Sequence, residues 1–338
     1  MTTERETAAR NLGQLFMVGL PGLEVDDSTR DLIGRCGINH FILFRRNVET
    51  PAQLAALCAG LADGCRDAGL GAPLVSIDQE GGTVTRLPAP FTQFPDARVL
   101  AQGAEPEAAL RHYAETCARE LRGVGINMNL APVLDLCPAG QGFFMERRVL
   151  GSVPEVVSRL GCLVIETMQQ GGVAACAKHF PGLGAATLDP HQVLPRVERP
   201  AAELRRLDLP PFAAACKAGV AAVMTSHTIY GGLDRERPAT LSPVILQGLL
   251  RQELGYDGLV ITDDLEMGAI ENGQSVAAAS LAAFAAGADL LLICHDHEKI
   301  RAAHAAMLAA LREGRLAEAR VLQSLARVVA VQRRFAGR

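Results

Sequence analysis

Lys178 and His179 end the apolar run Val173-Ala-Ala-Cys-Ala177, and a Pro/Gly loop beyond them carries Asp189 and His191 two residues apart. A strand that delivers an ammonium and an imidazole, then a loop with a carboxylate–imidazole pair, is equipped for acid/base chemistry on an anionic or polyhydroxylated substrate. Pro190, between the pair, fixes one backbone angle. An aspartate held against one imidazole nitrogen sets the tautomer and raises the ring's proton affinity. The other nitrogen is then left to give and take a proton. An Asp-Pro turn with an exposed histidine is the plainer alternative, and the position just after Lys178-His179 favours the dyad. Asp263 stands where the run Gly258-Leu-Val-Ile-Thr262 stops. A carboxylate at a strand end has a fixed backbone and suits a nucleophile. The competing role for Asp263 or Asp264 is a helix N-cap, and Asp264 reads as the structural member of the pair.

Asp78, Arg86, Arg148, Lys178 and His179 supply cations, an imidazole and a carboxylate able to hydrogen-bond several hydroxyls or an amide. Together they outline a sugar-sized polar pocket. Glu80 and Asp135 read equally well as partners in internal salt bridges. No GxxxxGK[ST] or GxGxxG follows a strand, and there is no HExxH or Cys/His cluster, so neither a cofactor nor a metal is expected. With no Trp, 3 Tyr and 11 Phe, recognition is expected by hydrogen bonds in a small pocket rather than by stacking along a groove.

The elements that must position these groups are short apolar runs at 15–20, 38–44, 73–78, 126–130, 173–178, 221–226, 258–262 and 288–294. Helical patterns lie between and after them, at 51–67, 104–123, 153–170, 201–218, 242–254, 273–286, 297–313 and 315–335. Strands alternating with helices mean a parallel sheet covered by helices. Eight such units predict an α/β fold, a single (β/α)8 TIM-type barrel over residues 1–338, with no C-terminal sandwich domain. A barrel of this kind concentrates its chemistry just after the strands. Asp78-Gln-Glu80, Asn127, Asn129, Asp135, Lys178-His179, Ser226-His227, Asp263-Asp264 and His295-Asp296 all stand there.

The chain has 338 residues, 49% hydrophobic and 21% charged, with a formal net charge of −4. That balance gives no electrostatic argument for nucleic acid or an anionic membrane surface. No apolar run approaches a membrane span, and the polar N-terminus lacks the h-region of a signal peptide. The 9 cysteines are odd in number, contain no CxxC, and read as small buried residues in a reducing compartment. The expectation is a cytoplasmic monomer without nucleic-acid or membrane partners.

Five segments carry a resemblance: Asp78-Gln-Glu-Gly-Gly-Thr-Val-Thr-Arg86-Leu, Asn127-Met-Asn-Leu-Ala-Pro-Val-Leu-Asp135, Lys178-His-Phe-Pro-Gly182, Asp189-Pro-His191 and Gly258-Leu-Val-Ile-Thr-Asp-Asp-Leu-Glu-Met267. In order and context the chain resembles glycoside hydrolase family 3, specifically its single-domain bacterial β-N-acetylglucosaminidases of peptidoglycan recycling. The resemblance implies a retaining mechanism with Asp263 as nucleophile and His191 as acid/base, oriented by Asp189. Asp78, Arg86, Arg148, Lys178 and His179 fall where the family binds N-acetylglucosamine, and the substrate implied is a small carbohydrate or muropeptide. Two departures stand out. Leu183, Ala185 and Ala186 replace a histidine, an aspartate and a threonine of the usual loop, and Glu146-Arg-Arg-Val-Leu-Gly151 replaces Gly-Asp-Arg-Ser-Phe-Gly. These changes bear on loop order, aglycone preference and turnover. The alternatives are a family-3 β-glucosidase or β-xylosidase, a glycoside phosphorylase, and a non-catalytic sugar-binding pseudoenzyme.

Overall fold

Eight short, fully buried runs become the staves of a parallel barrel: β1 Phe16–Gly19, β2 His40–Leu43, β3 Leu74–Ile77, β4 Met128–Asn129, β5 Ala174–Phe180, β6 Ala222–Thr225, β7 Leu259–Ile261 and β8 Leu291–Ile293. They are apolar along their length because helices cover one face and the barrel interior the other. A computed structural model describes residues 4–184, 186 and 194–337. Neighbouring strands pair in chain order, with Met17 opposite His40, Phe41 opposite Val75, Ser76 opposite Met128, and Cys176 opposite Ala222. β1 also pairs with β8, Val18 opposite Ile293. A single bridge, Ile261 to Leu290, joins β7 to the run leading into β8 and closes the ring. The α/β TIM-type barrel expected from the sequence is therefore present, each stave inside its anticipated window except β5, which runs on to Phe180.

β4 is only two residues long, and side chains do the pairing that its backbone cannot. Asn127 Oδ1 accepts from Val75 N–H (2.9 Å) while its Nδ2 donates to Pro73 C=O (2.9 Å). Asn129 repeats this on Gln79, accepting from N–H (3.0 Å) and donating to C=O (3.1 Å). Both asparagines are thus part of the sheet, not of the chemistry.

The crossover helices begin and end where local chemistry directs. Thr50 caps Pro51–Asp67 by accepting from Gln53 N–H, and Ser275 caps Val276–Ala286 in the same way. The single helix expected over 201–218 is two, Ala201–Leu207 and Leu209–Lys217, with the break at Asp208. Pro210 and Pro211 have no N–H to bond back into the first helix, so it must end. The last helix, Glu318–Phe335, is fastened at the strands' N-terminal end. Buried Asp289 there accepts from Arg251 (2.5 Å), Arg320 (3.1 Å), Arg327 (3.3 Å) and Ser324 (2.6 Å). All 9 cysteines are free. Burial pushes the Cys58, Cys65 and Cys176 thiols up to about 12, which makes them inert. No helix among the described residues is long and apolar enough to cross a membrane.

Candidate active site

At the C-terminal end of β3 the chain delivers Asp78, then turns through a small hairpin, Gln79–Gly81 with Val84–Thr85. The turn needs Gly82: its φ is +54°, and a Cβ there would lie 1.9 Å from Asp96 Oδ1. Gln79 folds back to accept from the N–H groups of Arg86 (2.9 Å) and Leu87 (3.1 Å). The hairpin thereby places Glu80 and Arg86 beside the strand end. Buried Glu80 takes a two-pronged contact from Arg148 (2.8 and 2.9 Å) and one from Lys178 Nζ (2.7 Å). Lys178 also reaches Asp78 Oδ1 (2.7 Å), and Arg86 lies 3.6 Å from Asp78 Oδ2.

Burial alone raises the proton affinity of Glu80, but Lys178 and Arg148 outweigh it and hold this carboxyl well below the usual range. Burial likewise opposes the charge on Lys178 and Arg148, and the carboxylates overturn it, so both cations are retained more firmly than in water. Glu146-Arg147-Arg148 accounts for one departure from the family pattern. Glu146 folds its own loop by accepting from Gly140 and Gly142 N–H, and Arg147 bonds Asp96 (2.7 Å), leaving Arg148 for Glu80.

Asp135, fully buried, organises the end of β5. It accepts from His179 Nδ1 (2.7 Å), His179 N–H (3.2 Å) and Leu183 N–H (2.5 Å). Since the carboxylate accepts, the His179 proton sits on Nδ1 and Nε2 is left for the cavity. Leu183 is buried with its side chain on the cavity wall, and Ala186 is buried in the core. Apolar packing therefore takes the place of the polar groups the family carries at these two positions. Ala185 lies outside the described residues, as do Asp189 and His191.

Asp263 stands two residues beyond β7 and caps no helix: the next one, Gly268–Glu271, starts after Met267. Burial raises its proton affinity, yet His227, His179, the Asp264 N–H (2.9 Å) and Lys178 together draw it below the ordinary carboxylate range. Asp264 has the opposite fate. Burial, reinforced by the neighbouring Glu266 and Asp263 charges, pushes it up to about 7 against the N–H of Glu266 (3.1 Å). Its other backbone contact, Cys294 N–H at 3.3 Å, fits the structural role expected of it.

Asp78, Arg86, Arg148, Lys178, His179 and Asp263 converge on one cavity of about 180 Å³. A larger cleft, about 550 Å³ between Tyr256 and the last helix, lies at the opposite end of the barrel and holds none of them. Sequence reasoning assigned no role to Phe44, Phe144, Met224, His227 or His295. Phe44, Phe144, Met224 and His295 line the cavity, while His227 bonds the Asp264 carbonyl (2.8 Å) beneath it. The two histidines had one signal, their place just after a strand. The phenylalanines and methionine had none, because apolar residues beside strands also read as core.

The sequence matches the Glycosyl hydrolase family 3 N terminal domain over residues 7–331. A β-hexosaminidase of Thiobacillus denitrificans is 39% identical over 85% of this chain and 79% of its own length. A glycoside hydrolase family 3 β-N-acetylglucosaminidase from Paenibacillus sp. superposes with a TM-score of 0.94 at 42% identity, covering 97% of this chain. The chain spans 62% of that protein. NagZ from Neisseria gonorrhoeae, solved with N-trifluoroacetyl-D-glucosamine, superposes at 0.78 with 28% identity, covering 96% of this chain and 97% of its own.

Proposed function

The chain belongs to glycosyl hydrolase family 3, and from that premise we propose that it is a retaining exo-β-N-acetylglucosaminidase acting on muropeptide fragments. The observation that carries this reading is Asp263, kept ionised at the top of a barrel strand, in one cavity with Lys178, His179, Arg148, Arg86 and Asp78. At about 180 Å³ the cavity is smaller than the ~300 Å³ where drug-sized sites begin. That size suits a single terminal sugar ring, hence exo action. Asp263 attacks the anomeric carbon while His191, oriented by Asp189, gives its proton to the leaving oxygen. Water, deprotonated by His191, then cleaves the glycosyl ester. Asp78, Arg86, Arg148, Lys178 and His179 hold the sugar's hydroxyls. Their contacts with one another and with Glu80 and Asp135 fix them before substrate arrives, so little ordering remains to be done on binding. The β-hexosaminidase relatives support the sugar, and the resemblance to recycling enzymes supports the muropeptide and a cytoplasmic setting.

Turnover of a nitrophenyl N-acetyl-β-glucosaminide against the matching glucoside, with and without phosphate, tests the reading. Preference for the glucosaminide with phosphate-independent release is expected. Asp263→Ala is expected to lower kcat by roughly 10⁴-fold or more, and His191→Ala to retain more activity on a nitrophenyl than on an alkyl leaving group. Full activity in Asp263→Ala defeats the mechanism, and sugar 1-phosphate as product makes the protein a phosphorylase.

A further inference from the structure

His295 follows the eighth strand by two residues, and nothing in the mechanism uses it. Two contacts fix its ring at the rim of the cavity. The ring stacks on Phe44 with centroids 5.6 Å apart and planes at 30°. Arg46 Nη1 lies 3.2 Å from Nδ1. The backbone N–H of His295 donates to Glu266 Oε2 (2.6 Å) and holds the main chain at that point. Arg46 is itself pinned by the carbonyls of Leu20 (2.8 Å) and Cys294 (2.6 Å), with its guanidinium over the Phe44 ring at 4.5 Å.

This arrangement decides the tautomer. A guanidinium only donates, so Nδ1 must accept and the ring proton sits on Nε2. Nε2 stands 3.6 Å from Asp264 Oδ2, outside hydrogen-bond reach. The side chain is 56% exposed and faces the same cavity as Asp263. Partial burial and the Arg46 charge both lower its proton affinity, so at neutral pH the ring is an uncharged donor. A neutral N–H, fixed in direction and without a hydrogen-bond partner among the described residues, matches a hydroxyl or carbonyl oxygen of a sugar better than it matches an anion.

We propose that His295 is a specificity-determining residue whose Nε2–H donates to an oxygen of the bound N-acetylhexosamine. This rests on the reading of the cavity as the sugar site. His295→Phe keeps a ring on Phe44 and loses the donor, whereas His295→Asn keeps a donor without the ring. In His295→Phe, KM for the nitrophenyl glucosaminide is expected to rise about tenfold with kcat within about twofold. The Kd of N-acetylglucosamine by calorimetry should weaken by the same factor, with His295→Asn in between. Thermal midpoints should stay unchanged, since the side chain is exposed. An unaltered KM and Kd in His295→Phe overturns the proposal, as does a loss confined to kcat. If the wild-type protein binds N-acetylglucosamine but turns nothing over, the hydrolase reading fails and the calorimetry alone decides on His295. If it does not bind the sugar, both fall.

Discussion

Asp263 and Asp264 share a peptide bond yet feel opposing fields, because one faces two imidazoles and a lysine while the other faces Glu266 and a buried strand end. The consequence is measurable through stability. Asp264 titrates near 7 in the folded chain and near 3.9 when unfolded. Below both values the carboxyl is protonated in either state and costs nothing. Between them the folded form holds the extra proton, so stability falls as pH rises, by at most ~1.4 kcal/mol per pH unit. Above 7 the loss is complete. Asp264→Asn has no proton to lose. Urea midpoints of the two proteins, measured from pH 4 to 8, are expected to diverge through this window in favour of the asparagine variant and then run parallel. A constant gap would mean that Asp264 titrates normally. At this scale the strand-end cations and carboxylates were legible in the sequence because their types have few uses inside a protein other than pairing or chemistry. Glu80 and Asp135 turned out to be partners that hold those groups in place. Lys178, Arg148 and His179 needed carboxylates to stay charged or oriented, and spacing alone did not say which acid met which base.

Elements carried the clearest message. Eight apolar runs and most of their crossover helices were readable, the first crossover helix Asp27–Cys36 excepted, because two-sided burial leaves long hydrophobic stretches, and the strands formed where those stretches lay. The hairpin after β3 was not readable. Its strands are three and two residues long, and its register is set by Gln79 and by the Gly82–Asp96 contact rather than by any periodicity. Asn127 and Asn129 misled in a related way, since an amide that completes a ladder looks in sequence like an amide awaiting a ligand. The hairpin makes its own demand. Gly82→Ala is expected to cost ~1–3 kcal/mol through the positive φ and the collision with Asp96, and to raise KM because Glu80 and Arg86 move with the turn. Denaturation midpoints and initial rates at several substrate concentrations check this together. Unchanged KM with lowered stability would detach the hairpin from sugar binding.

Across the whole molecule, polar residues divide between two ends. One end holds the cavity, and the other holds Asp289 with three guanidiniums, Arg320 and Arg327 from the final helix and Arg251 from the helical segment Val244–Glu253. The division was legible only in part: the strand ends announced the first cluster, while Arg251, Arg320 and Arg327 are distributed along helices, where nothing in their spacing marks a shared partner. Closure of the ring between β7 and β8 depends on two side chains besides its backbone bonds. Thr262 Oγ1 accepts from Leu292 N–H (2.9 Å), and Asp289 Oδ2 accepts from Val260 N–H (3.0 Å). The strand that leads to Asp263 therefore borders a joint of the cylinder that, like the seam between β3 and β4, is partly laced with side chains instead of main chain. Removing the hydroxyl by Thr262→Val is expected to cost ~1–3 kcal/mol and to speed amide exchange at Leu292 ahead of the other staves. Warming should then silence the enzyme some degrees before its helices melt, with the joint parting while the remaining wall still stands.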